Sequence, residues 1–387
     1  MPADTRNTDP KNTPATAARA TITGIEPALV TLSHTIHADP EPGSQEFHAL
    51  AHLAEFARGI PGTQVTTGIG GLETALLATA GTGDFGITIC AEYDALPGVG
   101  HACGHNIIAA AAAGAFAALA PLADELHATV RLLGTPAEET TGGKIDLLDA
   151  GAFAGTSVAM MIHPADHDST GMRPYACAGY TVRFHGRAAH ASMAPQKGVN
   201  ALDALTVALT AIGLNRQQLA ADQQIHYAVH SGGSASNVIP ALAEAEFMVR
   251  GGTQDSLAAV DEVLQRCLRA GALAAGATVE IEEIGKPYLD IVPDPQLEAI
   301  FAAHSAELGR PLPGPSPLAG STDMGNVSHR FRAIHPMLGL GEGCPPMHSP
   351  EFARFAVSEA GDRAVRDGAL CMALTGIDAA LGATSGV

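Results

Sequence analysis

At 387 residues, with hydrophobic side chains at 46% and charged ones at 16%, the chain has the material for roughly two or three domains and is too apolar to be disordered. Its 40 Asp and Glu against 21 Lys and Arg leave a net charge of −19, which excludes the basic footprint that nucleic acid or an anionic membrane surface requires. Six cysteines without a CxxC pair make no disulfide framework in a chain of this length, and 17 histidines lean towards metal or acid–base chemistry.

Residues 1–20 are polar, lack the apolar stretch of a secretory signal, and read as a flexible tail, so a cytoplasmic protein is expected. Apolar positions at helical spacing predict a helix over 45–58. Short apolar runs at 73–79, 85–91, 128–133 and 157–163 predict strands, with an Ala-rich helix over 106–120 and a helix over 142–150 between successive pairs of them. The apolar run 107–123 is mostly Ala and holds Pro121, so it reads as a buried helix and not as a membrane span. This βαβ rhythm predicts an α/β fold, a mainly parallel sheet with helices on both faces, whose chemistry sits in loops at the carboxyl ends of strands.

Near residue 178 the rhythm changes. A strand at 179–185, a helix at 199–215, strands at 224–231 and 243–250, a helix at 255–274 and a strand at 277–284 give the order β-α-β-β-α-β of a ferredoxin-like unit. We read 178–287 as an inserted α+β domain, with Pro287, Pro293 and Pro295 marking the return. A helix at 296–308, a strand around 332–340 and a last helix at 353–381 resume the earlier rhythm. The first domain is therefore expected to be discontinuous, over 21–177 and 288–387.

Five stretches in predicted loops or helix mouths carry chemistry: Glu92 to Pro97, His101 to Asn106, Gly134 to Glu139, His163-Pro164 and Met347 to Pro350. Cys, His and carboxylate are ligands for zinc-like metals, and Cys103 and His105, two apart around Gly104, can aim at one centre. In the tandem Glu138-Glu139 one carboxylate can bind metal while the other moves a proton. A metal would also turn a ligand cysteine into a thiolate. No HExxH, GxSxG, dinucleotide or P-loop fingerprint is present.

EYDALPGVGHACGHN, GTPAEE, GRAAHASMAPQKGVNA, SNVIP, GSTDMGNVS and MHSP, in this order, resemble the M20 metallopeptidase family, and most of all its amidohydrolase subfamily, which includes aminobenzoyl-glutamate hydrolases and the peptidase M20 domain-containing protein 2 type. The resemblance implies a catalytic domain interrupted by a ferredoxin-like lid or dimerisation domain, and a homodimer formed through that insert. It implies two divalent metals, Zn²⁺ first and otherwise Mn²⁺, Ni²⁺ or Co²⁺, on Cys103, His105, Glu139, His163 and His348. Glu138 takes the role of general base and His190 that of oxyanion stabiliser. Asn237 and Arg250 match positions for the substrate carboxylate or oxyanion, and Asp94 is expected to orient a ligand. The substrate would be an N-acyl amino acid or small dipeptide with a free carboxylate; a β-alanyl-type dipeptidase is the alternative within the family. Glu92 and Asn106 depart from the family's pattern and receive no role; His101, His167, His185, His226, His230, His329 and His335 are taken as solvated or structural. Two other readings of the same residues stay open: a thiol enzyme with Cys103 as nucleophile and His105 as base, and a non-catalytic binding relative.

Overall fold

The computed structural model describes residues 13–316 and 320–385. Two compact units result. The first takes in Met1–Met172, Ile291–Leu318 and Asn326–Val387, and the second Arg173–Asp290 and Ala319–Gly325, each as far as it is described.

The first element corrects the expectation of a flexible tail over 1–20, because Pro14–Ala38 is a helix, α1. The Thr13 hydroxyl accepts from the Thr16 N–H, and Pro14 occupies the first turn, where a missing N–H costs nothing. Ala18, Ile22, Leu29 and Ile36 form the buried stripe of an otherwise polar helix. Residues 1–12 of that expectation lie outside the described residues.

There follow α2 (Phe47–Arg58), β1 (Gln64–Thr67), β2 (Leu76–Ala80), β3 (Phe85–Ala91), α3 (His105–Leu119), β4 (Ala128–Gly134), α4 (Gly143–Asp149), β5 (Val158–Met160) and β6 (His163–Ala165). The second unit holds β7 (Ala176–His185), α5 (Ala201–Asn215), β8 (Gln224–Ser231), β9 (Leu242–Gly251), α6 (Gln254–Ala275) and β10 (Thr278–Tyr288). The chain ends with α7 (Pro295–Glu307), α8 (Met324–Ser328), β11 (Arg332–Ile334), β12 (Met337–Gly339), α9 (Pro350–Phe355) and α10 (Glu359–Ser385).

The main sheet of the first unit runs β1-β2-β4-β3-β5-β11. β3 is parallel to β4 and β5, and β5 to β11, whereas β1 and β2 add an antiparallel edge. The run 157–163 splits in two. β5 stays in this sheet, while Met161 and Ile162 carry the chain across to β6, which pairs with β12 in a separate parallel ribbon. The run 332–340 splits in the same way at Pro336, whose carbonyl accepts from the His163 N–H at 2.8 Å. α3 packs on β3 and β4 and is covered by α1 and α10, and every residue of it is buried. Its alanines let the neighbouring helices approach closely. Among the described residues His105–Leu122 is one window long and apolar enough to cross a membrane, and 94% of it is buried inside the fold, as in a core helix.

The second unit is an antiparallel sheet of order β10-β7-β9-β8, with α5 and α6 packed together on it. Alternation along β7 and β9 sends Val182, Phe184, Phe247 and Val249 to a core shared with Leu205, Leu264 and Leu268. The element order and strand order are those of a ferredoxin-like fold. The unit reaches slightly beyond 178–287, since β7 and β10 are longer than their apolar patterns and the segment 320–325 belongs to it.

Candidate metal centre and active site

β3 and β4 are parallel neighbours, with Ala91 opposite Gly134, so their carboxyl ends open on one edge of the sheet. Glu92, Tyr93 and Asp94 follow β3, and Thr135 to Glu139 follow β4. α3 begins at His105, β6 begins at His163, and His348 precedes α9.

Three backbone positions set the aim of these side chains. Gly104 caps α3 at φ 76°, and a Cβ there would lie 2.4 Å from Pro164 Cγ. Gly104→Ala is expected to lower stability by about 1–3 kcal/mol in chemical denaturation, since it adds a strained φ and a clash, and to impair metal uptake with it. Ala137 sits at φ 60° and turns the chain into Glu138-Glu139. Its N–H donates to Glu46 Oε1 at 2.8 Å, while Glu46 Oε2 accepts from the Thr74 hydroxyl at 2.8 Å. Glu46 is fully buried, and burial raises its pKa. His348 adopts φ 65°, and its N–H donates to the Ala102 carbonyl at 2.8 Å, beside Cys103.

The five predicted ligands meet in this unit. Cys103 Sγ lies 3.5 Å from His163 Nε2 and 3.5 Å from His348 Nε2. Glu139 Oε1 is 3.6 Å from His348 Nε2 and 3.8 Å from His105 Nε2. Ligand bonds of 2.3 Å to sulfur and 2.0–2.1 Å to nitrogen would place a thiolate and an imidazole of one tetrahedral zinc about 3.5 Å apart. Among the described residues, donor atoms within 4.8 Å of one another form three groups: Cys103, His105 and His163; Cys103, Glu139 and His348; and Glu92, His105 and Glu138. Cys103 and His105 each belong to two of them.

The imidazoles are already oriented for cations. His105 Nδ1–H donates to the Asp94 carbonyl at 2.9 Å and to Asp94 Oδ1 at 3.0 Å, which leaves the Nε2 lone pair facing the centre. Asp94 Oδ2 accepts from the Glu139 N–H at 3.0 Å, so one carboxylate positions two of the donors. His163 Nδ1–H donates to the Pro164 carbonyl at 2.7 Å and likewise frees its Nε2.

The electrostatics call for positive charge. Glu92 Oε2, His105 Nε2 and Glu139 Oε1 are buried and have no hydrogen-bond partner. Buried polar atoms are seldom left so, and a divalent cation would satisfy all three. Burial alone would lower the pKa of His105, yet the Asp94 carboxylate outweighs it and raises it well above its usual value. Burial, and then the Glu139 carboxylate, push the Cys103 thiol well above its ordinary pKa. That is the reverse of nucleophile activation, so the thiol-enzyme reading finds no support, and a bound metal is the agent that would make Cys103 a thiolate.

Sequence reasoning missed Lys144, which is fully buried with its Nζ 2.5 Å from Glu92 Oε1. It also missed Glu46. Asn106, left without a role, donates from Nδ2 to Ser33 Oγ at 2.9 Å and to the Ala356 carbonyl at 3.4 Å, the second a bond that an ionised aspartate could not make. His335 is not solvated: its ring lies 5.5 Å from that of His163, centre to centre, and neither nitrogen has a hydrogen-bond partner.

Two of these buried rings impose a pH dependence. Burial first, then neighbouring histidines, brings His101 down to about 3, and burial brings His335 down to about 4, from the usual 6.5. The folded chain keeps them neutral where the unfolded chain protonates them. Their contribution is therefore full above 6.5 and falls with pH below it, by about 1.4 kcal/mol per pH unit for each ring. A bound cation would act in the same direction. Denaturant midpoints should be lower near pH 5 than near pH 7.5, and equal midpoints would contradict this account.

His190, Asn237 and Arg250 belong to the second unit. The Ala191 N–H donates to the Asn237 carbonyl at 2.9 Å and His190 is bridged to Val238, so His190 and Asn237 sit on paired backbone segments. His190 Nδ1 accepts from the N–H groups of Ser192 and Met193, both at 3.3 Å, so the exposed Nε2 carries the proton and is a donor. Arg250 lies on β9, and its guanidinium donates to Ser321 Oγ at 3.0 Å.

Comparison with known proteins adds four findings. Residues 176–275 match a family model described as a peptidase dimerisation domain. The chain is 36% identical over 370 residues to the Xaa-Arg dipeptidase of Mus musculus, an alignment covering 90% of this chain and 85% of that one. It is 30% identical over 293 residues to one of the subunits of the p-aminobenzoyl-glutamate hydrolase of Escherichia coli K12, covering 70% and 60%. Among solved structures, a dinuclear metal binding peptidase of the M20 family from Bacillus subtilis superposes with a TM-score of 0.73 at 22% identity, over 92% of this chain and 99% of the other.

Proposed function

The chain belongs to the M20 peptidase family, and from that premise we propose that it hydrolyses the amide bond of dipeptides or N-acyl amino acids with a free carboxylate at a two-metal centre. The observation that carries this reading is the buried donor shell, in which three orphaned atoms face one another beside Glu138.

Cys103, His105, Glu139, His163 and His348 would hold the two ions, and their mix of sulfur, nitrogen and oxygen favours Zn²⁺ ahead of Mn²⁺, Ni²⁺ or Co²⁺. Bound there, the pair supplies Lewis-acid polarisation of the scissile carbonyl and a more acidic attacking water. Glu138 has a carboxylate oxygen within 4.8 Å of donor atoms of Glu92 and His105. It takes the proton of the attacking water and returns it to the leaving amine. Asp94 keeps His105 in the tautomer that faces the centre. For the oxyanion we assign His190, whose Nε2–H is a free-standing donor, and for the substrate carboxylate Arg250 and Asn237, since a guanidinium fork suits a carboxylate. The match to a dimerisation domain supports a homodimer formed through the second unit.

Within this class, the relatives are named for Xaa-Arg dipeptides and for p-aminobenzoyl-glutamate. The net charge of −19 favours encounter with cationic dipeptides, including β-alanyl ones with a basic second residue. The test is elemental analysis together with a hydrolysis screen of Ala-Arg, β-alanyl-Lys, p-aminobenzoyl-glutamate and N-acetyl amino acids, before and after chelation. We expect about two metals per chain and turnover that chelation abolishes and Zn²⁺ or Mn²⁺ restores. Undiminished turnover in chelator would overturn the metal reading, and bound metal without turnover on any amide would favour the binding relative.

A further inference from the structure

Glu92 is a buried carboxylate that the catalytic scheme above does not use. It is 1% exposed, and its two oxygens have different surroundings. Oε1 takes the ammonium of Lys144 at 2.5 Å, and that lysine is itself 0% exposed. Oε2 accepts no hydrogen bond and lies 3.4 Å from His105 Nε2, the nitrogen turned towards the centre by Asp94. Oxygen and nitrogen ligands of one tetrahedral zinc, with bonds of 2.0–2.1 Å, would stand about 3.3–3.4 Å apart. Glu92 also forms one of the three donor groups, with His105 and Glu138.

We infer that Glu92 Oε2 is a sixth protein donor to the metal centre, and that Lys144 is the positioning residue that holds its carboxylate with that oxygen turned inward. The inference rests on the two-metal reading proposed above. Charge balance supports it. With Cys103 as a thiolate, the anions Glu92, Asp94, Cys103, Glu138 and Glu139 exceed the buried cation Lys144 by four, the charge of two divalent ions. A buried lysine beside the donors thus lets the site carry one more carboxylate without excess negative charge. The tandem Glu138-Glu139 then keeps its division of labour, because His105 gains an oxygen co-ligand that leaves Glu138 available to take a proton.

The test is Co²⁺ titration of the metal-stripped full chain, read by visible absorption and by competition with a chromophoric chelator. The variants are Glu92→Gln and the double variant Glu92→Leu with Lys144→Met. The double variant removes both buried charges together, which a well-packed interior commonly tolerates, and circular dichroism and thermal unfolding check its fold. Both variants should bind one of the two cobalt ions about tenfold or more weakly and show shifted d–d bands, while the Cys103 thiolate-to-cobalt band persists. Wild-type affinity and an unchanged spectrum in either folded variant overturn the donor assignment and leave the two-metal reading intact. A wild-type chain that takes up no Co²⁺ overturns both.

Discussion

Glu138→Gln should lower kcat by a factor of about 10²–10⁴ while metal content stays at the wild-type level. In energy this is about 3–5 kcal/mol of barrier, the share of a positioned general base. The carboxamide keeps the shape of the side chain but cannot take a proton from water. Its neighbour provides the internal control, since Glu139 Oε1 faces His105 and His348, so Glu139→Gln should lose metal as well as turnover. The two adjacent positions are separable because Ala137, at φ 60°, starts a tight turn whose carbonyl accepts the N–H groups of Thr141 and Gly142. Wild-type turnover in Glu138→Gln would remove it from the base role, and loss of metal would move it into the donor set.

Lys144→Met should cost about 3–5 kcal/mol of stability in chelator, measured by denaturant unfolding, because it strands the Glu92 charge in the interior. Replacing Glu92 by Leu in the same chain should restore most of that loss. The contribution of Glu92 to the pH dependence should change sign between these backgrounds. In the wild type, burial alone would raise the Glu92 pKa, but Lys144 and then His105 outweigh it and hold it below the usual 4.5. The pair therefore stabilises the fold above that pH and is lost as pH falls. Without Lys144 burial prevails, the folded pKa rises above the unfolded one, and the Glu92 contribution becomes less unfavourable as pH falls towards 4.5, so the variant's deficit relative to wild type narrows. A Lys144→Met chain as stable as wild type at neutral pH would show that the pair carries no such weight.

The chemistry of this site was legible where it is local. Cys103 and His105 share one turn, and Glu138 and Glu139 share another, so residue type and spacing announce them. The β-α-β-β-α-β order of the second unit was legible for the same reason, since each strand alternates and each helix keeps its period over its full length. What joins distant positions left no such trace. Lys144 stands 52 residues from Glu92, in a stretch whose pattern reads as an ordinary short helix, and nothing in it says that the lysine turns inward. Glu46, 91 residues from Ala137, is one more acidic residue at a helix start until the chain tucks it under the Glu138-Glu139 turn. α1 escaped notice because its buried residues are spread among Thr, Ala and Pro27, so no dense apolar run marks the helix. The strands around Met160 and Ile334 read as continuous because a chain that moves from one sheet to another stays apolar throughout.

α3, which presents His105 at its first turn, is covered on one side by the first helix of the described chain and on another by the last. During synthesis the second unit has all four strands of its sheet and both helices packed on it once Tyr288 has emerged. The metal-bearing unit must wait for β11, β12 and α10, so its centre is the last part of the molecule to close. Until then the nascent chain carries a fifteen-residue alanine-rich helix whose α10-facing side is uncovered, apolar surface of the kind that chaperones shield.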